Sequence, residues 1–189
     1  ADDFKLYRYT REKIMEVPTK PPHLLSPGVH LQRARGYVEL QMYLEAEGEL
    51  LALPDENPWA KEKRTLLMHI KQELKDWAEM MEIARGLRLE YPEEEAYWVC
   101  DAFATRRANS IDEARNILLD GLVHKNNSGI IRYNLACYAC QLNSPGECLD
   151  FLKEAVRRDK KYKLMALEDD DLEPVREALV KMGWGRTVV

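Results

Sequence analysis

The sequence predicts an all-α fold, an α-α superhelix: a right-handed solenoid of about four helix-turn-helix repeats with a C-terminal capping helix. Three observations predict it. An apolar pattern returns every thirty-four residues between Ala46 and Ala155 without an insertion. Helix-start chemistry returns in the same register. The composition, 46% hydrophobic and 32% charged, suits a helix-rich chain rather than a disordered one.

The period is read from the second helix of each unit. Ala46, Leu50 and Leu53 are followed thirty-four residues later by Met80, Ala84 and Leu87. Ala114, Leu118 and Gly121 come next, then Cys148, Leu152 and Ala155. Pro58, Pro92, Asn126 and Lys160 stand at one further equivalent position and end the units. The repeats therefore run over about 27–58, 59–92, 93–126 and 127–160, within a region 26–160. Asp76, Ser110 and Ser144 each precede a Glu by three residues (Glu79, Glu113, Glu147). This is capping-box spacing, in which a side-chain oxygen takes an orphan first-turn amide and Glu reaches back. Pro145 at the first helical position adds to the signal, because its missing N–H costs nothing there. Second helices are expected from about 76, 110 and 144, and first helices over 60–74, 94–108 and 129–142. The opening unit has Met42, a poor turn former, at its cap position, so its helices are expected from Ser26-Pro27 and from Tyr43.

The two ends differ. Residues 1–25 are expected to hold an amphipathic helix over 1–16, using Phe4, Tyr7, Ile14 and Met15, and a Pro-rich extended linker. Residues 161–189 read as two short helices that cover the apolar end of the array, as open solenoids require, with a frayed WGRTVV tail.

The repeat resembles the tetratricopeptide repeat family. Trp98 takes the place of the family's Trp, Ala102 takes its small-residue place, and Leu135-Ala136 matches its Leu-Gly pair. Met68 in the small place, Asp101 in a Leu place and the loss of the closing Pro in the last two units depart from the pattern. The resemblance covers about residues 27–160 and speaks to fold. It implies that first helices line a concave groove. Residues at i, i+4 and i+7 share a helix face, which makes Arg35, His69, Phe103, Arg106, Arg107, Tyr133, Cys137 and Gln141 the candidate ligand-binding residues. Two readings of the cationic ones stand: charge-assisted bonds to the carboxylates of a peptide with aromatic anchors, or an ordinary solvated face. The carboxylate clamp of chaperone-binding family members needs Lys and Asn together. Only Asn134 matches, so a chaperone C-terminus is not expected.

The remaining chemistry is sparse. Cys137 and Cys140 sit mid-helix, where no helix N-terminus stabilises a thiolate, and Cys148 falls in a small-residue slot. They read as packing; Cys100 and His124 would complete a poor zinc set. No nucleophile elbow, phosphate loop or H-E-x-x-H occurs, so no catalytic residue, metal or cofactor is assigned. The acidic runs Glu93–Glu95 and Asp169–Asp171 read as complements to positive helix starts. Net charge is -5, which argues against nucleic acid. No apolar run is long enough to span a membrane. The start, ADDFKLYRYT, has no signal core and no Met, as in a processed or trimmed product, and sparse cysteines favour a reducing, cytoplasmic location. The expected function is a non-catalytic protein-protein interaction scaffold or adaptor for a peptide or protein partner carrying acidic residues. The alternatives are a self-association module forming homo-oligomers, and a thiol- or metal-dependent activity at Cys137, Cys140 and Cys148.

Overall fold

The computed structural model describes residues 25–55 and 58–185. The expected helix over 1–16 and the end of the WGRTVV tail lie outside them. The described residues form helices and turns with no strand. Four helix pairs follow one another: α1 (Pro27–Glu39) with α2 (Tyr43–Leu51), α3 (Ala60–Glu73) with α4 (Trp77–Glu90), α5 (Glu95–Ala108) with α6 (Ile111–His124), and α7 (Gly129–Gln141) with α8 (Pro145–Arg158). Helices pair within each unit, and each later first helix also packs on the second helix before it. Among the described residues, no helix is long and apolar enough to cross a membrane.

Period and packing coincide. Every one of the recurring residues from Ala46 to Ala155 is buried. Small side chains at Ala46, Ala114 and Cys148 let the helices of a unit approach closely, and the adjoining Leu50, Leu118 and Leu152 fill the layer. Gly121 shows the tightest constraint. A β-carbon there would lie 3.1 Å from the Trp98 ring and 3.2 Å from Ile131, so its bare backbone makes room for Trp98 and α7.

Helix starts follow local chemistry with one difference. Asp76 accepts from the Glu79 amide and Ser110 from the Glu113 amide, each at 3.2 Å. Ser144 makes no side-chain cap, and that start rests on Pro145. The Glu carboxylates expected to reach back are engaged elsewhere: Glu79 with Lys71, Glu113 with Asn109, and Glu147 with Arg115. Three of the four turns between paired helices place a residue, Gln41, Lys75 or Asn143, at φ of 59°, 59° and 55°, while Asn109 in the turn from α5 to α6 keeps φ at -126°. This left-handed residue past a helix end frees the chain to reverse.

After α8 the chain forms α9 (Lys161–Glu168), a 3-10 turn (Asp170–Val175) and α10 (Arg176–Lys181), three short elements where two were expected. Tyr162, Ala166, Leu172, Val175 and Leu179 are buried against the last unit. Trp184, assigned from sequence to a frayed tail, is buried in the same core. The Tyr162 ring stacks on Tyr133 with centroids 5.2 Å apart, and the absence of a side chain at Gly129 admits it.

Candidate functional site

Tyr133, Cys137 and Gln141 are spaced four residues apart and form one stripe along α7. The segment after α9 lies across this stripe. Tyr133 Oη donates to Asp169 Oδ2 at 2.8 Å, and the Cys137 thiol lies 3.6 Å from the same oxygen. Gln141 Nε2 donates to the Asp171 carbonyl at 2.8 Å. From the neighbouring first helix, Arg106 forks onto the Asp171 carboxylate, with Nη2 to Oδ1 at 2.9 Å and Nη1 to Oδ2. Asp169 Oδ1 accepts the Asp171 amide at 2.9 Å, which bends the segment, and buried Leu172 and Val175 anchor it. Asp169 and Asp171 therefore do more than complement a helix start: they are the ligands of four of the eight residues selected from sequence.

The electrostatics follow from burial beside two carboxylates. Asp171 holds the Arg106 guanidinium in its charged form more firmly than usual. Burial, then the neighbouring aspartates, push the Cys137 thiol up, and burial followed by the hydrogen bond to Asp169 does the same to Tyr133. Cys148 is pushed up to about 12 and Cys100 to about 11, both chiefly by burial. All four cysteines are free. These are protonated thiols in packed surroundings, the opposite of an activated nucleophile. One donor of each of Cys137, Asp169 and Asp171 lies within 4.8 Å of the others, a spacing that could hold a cation. Arg106 already spans both Asp171 oxygens, and Tyr133 donates to Asp169, so a metal would have to displace these bonds. Cys100 and His124 do not join them; His124 stacks on Trp98 with centroids 5.1 Å apart.

The other four selected residues stand apart from this network. The Arg107 guanidinium lies 3.5 Å above the Phe103 ring and 5.1 Å from Trp77, whose ring meets Phe103 edge-on at 5.7 Å. Arg107 also donates to the Phe103 carbonyl at 3.1 Å, and among the described residues no carboxylate pairs with it. Arg35 pairs with Glu62 on α3, and His69 is exposed on α3. Asn134 is turned back to the Ile130 carbonyl of its own helix. Trp77, Asp169 and Asp171 were not among the candidates. Charge matching between Asp169–Asp171 and Arg106 was the available signal for the aspartates. Two open clefts lie elsewhere, near the turns that join units. One of about 560 Å³ is bordered by Glu93–Ala96 and His124–Ser128, and one of about 400 Å³ by Arg88, Trp98 and His124.

No protein-family model matches the sequence, and no curated protein matches it. Solved structures do. A tetratricopeptide repeat protein from Parabacteroides merdae superposes with a TM-score of 0.66 at 15% identity, over 84% of this chain and 67% of its own. MamA MSR-1 gives 0.61 at 18% identity, over 83% and 90%. The APC/C hetero-tetramer Cut9-Hcn1 gives 0.60 at 15% identity, over 82% and 30%. At these identities the likeness is one of architecture, and the architecture of this chain is that of a tetratricopeptide-repeat array.

Proposed function

We propose that this protein is a non-catalytic interaction scaffold that takes an acidic peptide or protein segment along its first helices. The single observation that supports this reading is the pairing of Asp169 and Asp171 with Arg106, Tyr133 and Gln141. The α5–α7 face is complementary in charge and hydrogen bonding to an acidic stretch of main chain, and the chain's own segment occupies it. A partner then docks upstream of that segment. Arg107, stacked over Phe103 and beside Trp77, supplies an exposed cation with an aromatic platform. His69 and Arg35 continue the path along α3 and α1. Guanidinium-carboxylate bonds and an aromatic anchor are the usual energetic centre of such a contact. Stacked units expose a long surface of this kind without an enclosed pocket.

Selection from a random peptide library on the full chain and on Arg107→Glu tests the proposal. The wild-type chain is expected to enrich peptides rich in Asp and Glu. The variant, with an unchanged melting temperature, is expected to lose them. No acidic enrichment on the wild type, or the same enrichment on the variant, removes the reading.

A further inference from the structure

The repeat register shows what is missing at the start of the array. Val29 is equivalent to Lys63, Tyr97 and Ile131, which are 5%, 4% and 0% exposed, whereas Val29 itself is 38% exposed. Arg33 is equivalent to Leu67, Asp101 and Leu135, all buried, yet 47% of its side chain is open. Gly36 is equivalent to buried Ile70, Ala104 and Tyr138, but a β-carbon at Gly36 would meet nothing within 4 Å. In later units this face lies against the preceding second helix: Lys63 donates to the Leu53 carbonyl just after α2, Asp101 pairs with Arg88 on α4, and Ile131 meets α6 at Gly121. The face of α1 is thus shaped to receive a helix.

We propose that residues 1–16 of this chain are that helix. The segment precedes α1 directly, and its sequence carries Phe4, Tyr7, Ile14 and Met15 at helical spacing. Residues 17–26 would join it to α1 much as residues 52–59 join α2 to α3. An antiparallel return needs the linker to cross only the roughly 10 Å between packed helix axes, and residues 17–24 reach about 26 Å when extended, so the return along the face is within range. Charge sets up no net repulsion: the segment balances Lys5, Arg8, Arg11 and Lys13 against Asp2, Asp3, Glu12 and Glu16. A tethered helix also has a high effective concentration over a second copy of the chain.

Amide hydrogen exchange of the full chain tests this, comparing wild type with Phe4→Asp/Tyr7→Asp at two protein concentrations. Exchange in residues 29–40 is expected to be at least about tenfold faster in the variant, because covered helices open less often. Rates in α7 and α8 are expected to be equal in the two proteins, and wild-type rates to be independent of concentration. Equal exchange of α1 in both proteins overturns the proposal. So does protection of α1 that rises with concentration and survives the substitutions, which would assign the face to a second copy.

Discussion

At the position where neighbouring units carry Leu67 and Leu135, the third unit carries Asp101, fully buried and departing from the repeat pattern. Arg88 Nε meets its carboxylate at 2.6 Å, Thr105 donates to it at 3.2 Å, and the Arg88 guanidinium lies 4.7 Å from the Trp98 ring. A buried ion pair is costly to break from one side, because the remaining charge has no partner. Arg88→Ala is expected to destabilise the chain by about 3–5 kcal/mol in denaturant unfolding. Arg88→Met/Asp101→Leu, which restores the apolar register, is expected to recover most of that loss. The buried thiols make a second residue-scale prediction. Burial raises Cys100, Cys137, Cys140 and Cys148 above their ordinary range. Below about pH 8.5 both folded and unfolded chains keep these protons, and the full stability is present. As pH rises further the unfolded thiols ionise first, so the unfolding midpoint is expected to fall from about pH 8.5 to 11. Replacing Cys148 with Ala should shrink that fall.

Among the elements, helix boundaries were legible wherever a local side chain sets them. Asp76 and Ser110 stand one residue before observed starts and bind the amides the spacing implied. Ser144 stands at an equivalent place, and its helix begins without its hydroxyl. Asp76→Ala and Ser110→Ala are therefore each expected to cost about 1 kcal/mol in thermal or denaturant unfolding, and Ser144→Ala close to nothing. An equal cost at all three positions would contradict the observed geometry. The segment 169–176 was not legible in the same way. Its 3-10 turn contains Pro174 and has no helical period, and its path is set by Arg106, Tyr133 and Gln141, far away in sequence. Local reasoning gave its aspartates a helix-start role because the opposing charges come together only after the units stack. Trp184 misled for a related reason: a tail position says nothing of the apolar end that the ring covers.

Across the whole molecule, stacking creates the surfaces and the ends decide which of them stay open. At the C-terminal end, Leu172, Val175, Leu179 and Trp184 complete the core of the last unit. Each such side chain contributes on the order of 1.5–3 kcal/mol when buried, so this segment is a lasting part of the fold rather than a readily displaced one. The consequence is a division among the residues chosen from sequence. Arg106, Tyr133, Cys137 and Gln141 contact the segment, while Arg107, Phe103, His69 and Arg35 lie outside that contact, Arg35 in an ion pair with Glu62. The double-mutant cycle of Arg106→Ala and Asp171→Ala, followed by denaturant unfolding, measures this pairing most directly. A coupling energy of about 1–2 kcal/mol is expected for a partly buried, forked ion pair. Strictly additive effects of the two substitutions would mean that the acidic segment is not held by the α5–α7 face.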